Sequence, residues 1–289
     1  MLYKPKCDII IAMEKTALKI NDFQLLIETL QNMVKITGNL KIVVGKHGFE
    51  SWMADDNEIV RLDVSSNALS LSEDAKVDEA VICTKSLQTI SQLLLKIQKA
   101  HLGKSKKNAS TDYSDVEIFV DETTIYIKSS TLKTSVFLDN EAAVHVLNPF
   151  RHELHTIAEV AASSDDVKDV ISSTFIFKQP DKITIEICHQ DDMVRNIAYA
   201  YMSDPNDPRT NDIVTKFGNI TSGDFTRRIL LDVSKMKYLS VFPVESMTIK
   251  FNQEPCFSSE FSISSENLLF STNYKLISKY VLPRNPVES

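Results

Sequence analysis

The chain has 289 residues, of which 43% are hydrophobic and 25% are charged, and its formal net charge at pH 7 is −7. This length is enough for two domains with separate cores, and no apolar run approaches the roughly 20 residues that span a bilayer. The acidic balance argues against a protein coated in basic charge, but it leaves room for a local basic stripe.

The first half of the chain reads as strand, helix and several short strands, and then repeats that order. After a first strand at Ile9–Met13, a helix is predicted over residues 23–36, with Phe23 and Leu30 on one face and Asn21 or Asp22 as its cap. Short apolar runs separated by turn residues follow, which predict an antiparallel meander. A second helix over Thr84–Leu102 then precedes three more strands.

A connector at Leu138–Leu154 separates this half from the next, because it has neither a helical nor an alternating apolar period. Beyond it the sequence predicts a partly acidic helix over His155–Ser172, then short strands and a long loop over Ser203–Gly223. A short helix ended by Pro243 and several closing strands complete the half. The predicted boundaries are residues 1–139 for an N-terminal domain, 140–155 for the connector and 156–289 for a C-terminal domain.

The repeated order predicts a specific architecture. It amounts to four β-α-β-β-β units, two in each of two similar domains, with antiparallel sheets and helices on one face, which is an α+β fold. Such sheets have open edges that must be paired, covered or charged. Pairing between copies is one solution, and heterologous contacts of this kind can close into a ring.

With this topology the chain resembles the sliding DNA clamps, the PCNA family with its checkpoint-clamp and viral or phage relatives. The local resemblance is carried by the terminal run Lys279–Arg284, which reads KYVLPR, and by the helix at Lys237–Leu239 followed by Val241-Phe242-Pro243. Long loops at Gly103–Ser114 and Ser203–Gly223 depart from the family pattern. The resemblance implies trimers that encircle duplex DNA.

One polar-basic stripe follows the second helix on the side opposite its apolar residues. Solvated helix faces often look like this, but in a clamp the stripe would face the central hole and contact phosphates without reading bases. The candidate DNA-binding residues on this stripe, on the loop after it and on the first and fourth helices are Lys35, Lys85, Lys96, Lys99, Lys104, Lys106, Lys107, Lys235 and Lys237.

The resemblance also implies an apolar groove for short client peptides, between the connector, the last helix and the C-terminal strand. A DNA polymerase and other replication proteins would insert apolar anchors there, and a clamp loader is a further expected partner. Packing in the core of the second domain is the alternative role for these side chains. Carried over by position, the groove residues are Val144, Val146, Leu147, Val241, Pro243, Val281, Leu282 and Pro283.

No catalytic, cofactor or metal site is predicted. His152 and His155 are three residues apart, which is not the H-E-x-x-H spacing of a zinc helix, and the six glycines form no phosphate loop. Cys188 and His189 offer ligand types, but at a predicted hairpin tip. The four cysteines are far apart and read as reduced thiols of a nuclear, cytoplasmic or viral-factory protein.

Three hypotheses remain open from the sequence. The first is a homotrimeric clamp that acts as a DNA polymerase processivity factor. The second is a clamp-fold protein that works otherwise, as one member of a checkpoint-type heterotrimer or as a monomeric viral processivity factor that grips DNA on one basic face. The third is an enzyme or a small-molecule binder on an α+β scaffold, since fold alone does not decide function.

Overall fold

The computed structural model describes residues 15–55, 60–103, 113–177, 184–188, 196–203, 213–223, 229–254 and 256–279. In these ranges the chain is an α+β fold with antiparallel strands and a small number of helices, as the sequence predicts. No helix in the described part of the chain is both long and apolar enough to cross a membrane.

The first half contains two helices and two short meanders of strands. In chain order its elements are β1 (Thr16–Ile20), α1 (Phe23–Val34), β2 (Leu40–Gly45), β3 (Gly48–Ala54), β4 (Val60–Ser66), β5 (Leu69–Leu71), β6 (Ala80–Thr84), α2 (Leu87–Leu102), β7 (Glu117–Val120), β8 (Thr124–Lys128) and β9 (Lys133–Phe137).

After a 3-10 turn at Glu141–Ala143, the second half repeats this order, with four described strands between its helices where the first half has five. Its elements are β10 (Thr156–Ala162), α3 (Ser164–Thr174), β11 (Thr184–Cys188), β12 (Ile197–Ser203), β13 (Ile213–Gly223), β14 (Ile229–Asp232), α4 (Val233–Ser240), β15 (Met247–Asn252), β16 (Cys256–Ser264) and β17 (Ser271–Lys279).

Helix α1 shows why these residues form this element. The Asp22 side chain caps its start by accepting a hydrogen bond from the Leu25 amide at 2.8 Å. The apolar face buries Phe23, Leu26 and Leu30. Burial of side chains of this size stabilises a fold by roughly 1.5–3 kcal/mol each, so packing contributes more to the helix than its intrinsic propensity does.

Two antiparallel sheets carry the strands of the described residues. One has the order β5-β1-β7-β8-β9 and belongs to the first half alone. The other has the order β14-β11-β12-β13-β10-β15-β16-β17-β4-β3-β2-β6 and runs through both halves. The long sheet is continuous because the last strand of the second half, β17, pairs with β4 of the first.

This β17–β4 pairing is the seam between the halves. Its register places Leu276 opposite Leu62, and both side chains are buried. Beneath α1 the seam carries a buried chain of hydroxyl groups, in which Thr272 Oγ1 lies 2.7 Å from both Thr29 Oγ1 and Ser66 Oγ. Because each hydroxyl has a partner, the polar groups add directional contacts to the apolar seam at little desolvation cost.

Two predictions in the second half are wrong, and one in the first half is not tested. The predicted helix over His155–Ser172 begins as strand β10, whose alternating Ala158 and Val160 are buried between β13 and β15, and only then becomes α3. Most of the predicted loop over Ser203–Gly223 is strand β13; residues 204–212 lie outside the described ranges. The strand predicted at Ile9–Met13 lies outside them as well.

Candidate nucleic-acid and partner interfaces

The helices form one layer on a single face of the sheets. α1 packs against α2, and α3 packs against α4. The two pairs meet at the seam, where Lys35 Nζ donates to the Val241 carbonyl oxygen at 2.6 Å. The residue after Val241, Phe242, contacts the Tyr274 ring on β17 with a centroid distance of 5.4 Å. The layer therefore has the order α2, α1, α4, α3.

The predicted basic stripe on α2 faces solvent. Lys96 and Lys99 are exposed on the helix, and so is Lys85 just before it, while Ile90 and Leu94 are buried on the opposite side. No ion pair with another described residue engages these three lysines. Their ammonium groups are thus available to an anionic partner that lies against the helix layer.

Lys35 has a different setting from the α2 lysines. Its Nζ donates to the carbonyl oxygen of Val241 at 2.6 Å and to Asn32 Oδ1 at 2.9 Å. Partial burial lowers the pKa of its ammonium group. Because Val241 belongs to the second half, this hydrogen bond connects the two halves of the chain.

The remaining predicted lysines divide into two groups. Lys237 on α4 is exposed, with its Nζ 5.1 Å from the centre of the neighbouring Tyr238 ring. The structure places Lys235 on the same helix but does not describe its side chain. The loop lysines Lys104, Lys106 and Lys107 lie outside the described ranges.

Helix α3 carries the opposite charge. Asp165 and Asp169 are exposed, and Lys168 lies 2.8 Å from Asp165. Asp166 forms a capping box with Ser163 at the start of the helix, which explains why an acidic residue stands there. The helix layer is therefore basic along α2 and acidic along α3.

The connector crosses the other face of the long sheet. Its anchor points follow the order of the strands: Glu141 pairs with Lys41 on β2 at 2.6 Å, and the Phe150 amide donates to Asp63 on β4 at 3.0 Å. At its far end His155 Nδ1 lies 2.7 Å from Glu254 Oε1, just after β15. The connector is thus fixed to the sheet at several points along its length.

Phe150 is the central anchor of the connector. Its ring lies near two cations, with the Arg61 guanidinium carbon at 5.5 Å and Lys275 Nζ at 5.7 Å from the ring centre. Arg61 is itself paired with Asp63 at 2.8 Å and donates to the backbone carbonyl of Asn148. Arg61 and Asp63 lie on β4 and Lys275 on β17, so the connector is attached across the seam.

The structure separates the predicted client-groove residues into two places. Val144 is buried, and Val146 and Leu147 are partly exposed along the connector. Val241 lies near the end of α1, where its carbonyl accepts a hydrogen bond from Lys35, and Pro243 is exposed two residues later. The remaining residues, Val281, Leu282 and Pro283, lie outside the described ranges.

Sequence reasoning missed a groove beside the connector. The groove encloses about 480 Å³ and is lined by Trp52, Asp63, Pro149, Glu260 and Lys275, among others. Trp52 is the single tryptophan of the chain and is partly exposed there. The alternation in β4, with buried Leu62 between Arg61 and Asp63, was a usable signal for a polar outer face.

The two connector histidines that were weighed as metal ligands have other partners. His155 is paired with Glu254, and the His152 ring contacts Phe150 edge-on at 5.5 Å. His189 lies outside the described ranges. Among the described residues, no group of three or more His, Cys, Asp or Glu side chains is arranged to hold a metal ion.

No family model and no curated relative matches the chain. Solved structures do match it. One is A. fulgidus PCNA, in a structure with the C-terminal region of FEN-1 bound. The match covers 94% of this chain and all of that one, with a TM-score of 0.63 and 16% sequence identity. The whole chain of PCNA from Entamoeba histolytica matches 93% of this chain, with a TM-score of 0.59 and 12% sequence identity.

A third match is the complex of PCNA2 and PCNA3 from Sulfolobus tokodaii, with a TM-score of 0.57 and 9% identity over 92% of this chain and 99% of that one. Identities this low establish the fold and not the activity. The resemblance inferred from the order of elements is confirmed: along most of its length the chain has the fold of the PCNA-type sliding clamps.

Proposed function

We propose that this chain is the subunit of a sliding clamp. Three copies join head to tail into a ring around duplex DNA and, as a processivity factor, tether a DNA polymerase and other replication proteins. The protein acts without catalysis of its own, wherever DNA is replicated, in the nucleus, the cytoplasm or a viral replication site. Its domains are residues 1–139 and 156–289, joined by the connector at 140–155.

The observation that carries the proposal is the seam within the chain. The last strand of the second half, β17, pairs antiparallel with β4, which is the fourth strand of the first half. The repeat contains a second pair of strands in equivalent positions. β9 ends the first half as β17 ends the second, and β13 follows β12 as β4 follows β3. In the described residues, β9 pairs only with β8, and β13 pairs only with β12 over its first residues, 213–218.

These two open edges fit each other in chemistry. The outer face of β9 presents Phe137, which is 81% exposed, and the outer face of β13 presents Val214, which is 41% exposed. Exposed edge strands are usually blunted, so large apolar side chains there favour pairing with another strand. Pairing β9 of one copy with β13 of the next is heterologous, and a rotation that closes it gives a ring.

The ends of two helices support the same junction. Within the chain, the end of α1 meets the segment after α4. The repeat makes α3 the equivalent of α1 and α2 the equivalent of α4, so the end of α3 would meet the end of α2 in the next copy. Both ends are apolar and exposed, with Phe175 and Ile176 after α3 and Leu102 on α2.

Edge substitutions test this assembly. Phe137→Glu and Val214→Glu each place a carboxylate in the proposed junction, and each variant is expected to be monomeric by light scattering at concentrations where the native chain is a trimer. Leu268→Glu is the matched control, because Leu268 is also apolar and 80% exposed but lies in the β16–β17 turn. An assembly that survives both edge variants would contradict the proposal.

In the ring the helix layer faces the DNA. The exposed lysines of α2 and Lys237 on α4 supply charge to the phosphates, and the candidates Lys85, Lys96 and Lys99 remain the residues proposed to make most of these contacts. Flexible lysines suit sliding, since each is a point charge that binds any phosphate and reads no base. Binding is expected to be independent of sequence and sensitive to salt.

Client proteins are proposed to bind on the connector face through short apolar peptides. Val146 and Leu147 are the partly exposed apolar groups of the connector, and Val281, Leu282 and Pro283 are retained as proposed groove residues from the terminal run. The solved structure of A. fulgidus PCNA has the C-terminal region of FEN-1 bound, which supports a peptide site on this fold. A clamp loader is a further proposed partner.

A heteromeric ring is the second candidate. One solved neighbour is a complex of two different clamp chains, PCNA2 and PCNA3. In that case β9 and β13 would pair with edges of other chains, and the purified protein alone would stay monomeric. A monomeric processivity factor would also stay monomeric, and only co-expression with the other replication proteins of the same source separates the two.

A further inference from the structure

The helix layer carries its charge unevenly, and this unevenness predicts how DNA sits in the ring. Between Leu87 and Leu102, α2 contains two lysines and no carboxylate, and Lys85 precedes it. Helix α3 contains three aspartates and one lysine. The two helices lie at opposite ends of the helix layer, and their exposed charges have opposite signs.

The charges on α3 are only partly neutralised. Lys168 lies 2.8 Å from Asp165, and Lys216 lies 3.9 Å from Asp166. Asp166 also accepts hydrogen bonds from the backbone and hydroxyl of Ser163, which fixes it at the start of the helix. Asp169 is exposed and has no ion-pair partner among the described residues. The solvent side of α3 therefore keeps a net negative charge.

The two helices between them add little to the balance. On α1, Glu28 accepts a hydrogen bond from Gln24 at 2.6 Å, and Lys35 at the end of the helix is engaged at the seam. On α4, Lys237 is exposed. Positive charge on the solvent side thus concentrates on α2 with a smaller share on α4.

We infer that duplex DNA is held unevenly in this ring: the phosphates bind to α2 and α4, and Asp165 and Asp169 on α3 repel them. This inference rests on the proposed function and adds a polarity to it. The closed ring would present strips of attraction separated by strips of repulsion. Such a surface limits the number of phosphates neutralised at once, which weakens binding and favours sliding.

The experiment measures binding of a fluorescein-labelled linear duplex by anisotropy over a range of salt concentrations. Asp165→Asn/Asp169→Asn is expected to tighten binding several-fold, and Lys96→Glu/Lys99→Glu to weaken it at least tenfold with a smaller salt slope. Asp74→Asn/Glu266→Gln is the matched control. It changes the net charge by the same amount at exposed sites outside the helix layer.

The outcomes separate this inference from the proposed function. If the α3 variant binds DNA no more tightly than the control variant, the repulsion by α3 is refuted while the clamp stands. If the α3 variant dissociates the trimer and leaves DNA affinity unchanged, the aspartates act at the junction between copies and the inference is equally refuted. If the native trimer does not bind duplex at any salt concentration, the proposed function fails, and the inference fails with it.

Discussion

Lys35 Nζ lies 2.6 Å from the carbonyl oxygen of Val241, so a side chain at the end of the first helix contacts the segment after the last one. The contact joins residues 206 positions apart in sequence. The sequence predicts that Lys35 binds DNA, whereas in the structure this side chain connects the two halves of the chain.

Replacing Lys35 should therefore affect stability more than DNA binding. Lys35→Ala is expected to lower the free energy of unfolding by about 1 kcal/mol, because it removes hydrogen bonds from a charged donor that is still partly solvated. Its DNA affinity should stay close to that of the native chain, whereas Lys96→Ala should lose affinity and keep its stability. Urea unfolding and the fluorescence anisotropy of a labelled duplex, measured on both variants, test this prediction. The reverse pattern would show that Lys35 binds DNA.

The hydroxyl chain at the seam gives a second prediction. Thr272→Val keeps the shape of the side chain but removes one buried hydrogen-bond partner of Thr29 and one of Ser66. We expect a loss of roughly 1–3 kcal/mol in unfolding free energy. The exposed Thr131→Val is the control and should change it by less than about 0.5 kcal/mol; equal effects of the two substitutions would show that the buried chain adds nothing.

Phe150 is predicted to fix the connector to the sheet. Phe150→Ala removes the ring that lies against Arg61 and Lys275, contacts worth about 0.5–1 kcal/mol each at exposed sites. Faster proteolysis within residues 146–155 and a change in the fluorescence of Trp52, which shares the groove with Pro149, are the expected results. Arg151→Ala, at the exposed neighbouring position, should leave both unchanged.

The far end of the connector should respond to pH. A hydrogen bond and the charge of Glu254 raise the pKa of His155, and the same pair lowers the pKa of Glu254. His155 contributes fully to stability below its unfolded-state pKa, and this contribution is lost as pH rises through its raised folded-state pKa. The contribution of Glu254 is lost as pH falls through its lowered folded-state pKa. The contact is thus strongest between these two values.

Hydrogen exchange of the Gln253 amide, which donates to the His155 carbonyl, reports this contact. After correction for intrinsic exchange rates, we expect its protection to fall between roughly pH 6 and pH 8, the range in which histidine loses its charge. His155→Gln should remove the pH dependence. Protection that stays constant in the native chain over this range would contradict the assignment.

The local sequence pattern correctly predicted those elements whose buried and exposed faces are set by the spacing of their own residues. Helix α1 has its cap at Asp22 and an unbroken apolar face, and α2 has its exposed lysines where the spacing puts them. The prediction for β10 was wrong because its alanines are equally favourable in a helix. The segment is extended because it pairs with β13 and β15. Gly223 shows the same dependence: its φ of +82° and its close approach to Ile157 belong to that pairing.

The candidate sites were predictable to a smaller extent, because their residues meet only in the folded chain. The stripe on α2 follows from helical spacing alone. The role of Lys35 depends on Val241, and that of Phe150 on cations from β4 and β17, at sequence separations that no local pattern covers. Val241 and Pro243 were assigned by position in the family pattern, and that pattern does not show the contact of the Val241 carbonyl with Lys35.

The mass of the native protein in solution tests the central claim most directly. Light scattering on a dilution series should give a mass near three times 32.6 kDa at the higher concentrations, since β9 and β13 are proposed to pair between copies. A dissociation to single chains on dilution is compatible with the ring. A mass of one chain at every concentration would contradict it and would leave a partner-dependent or one-sided DNA-binding protein.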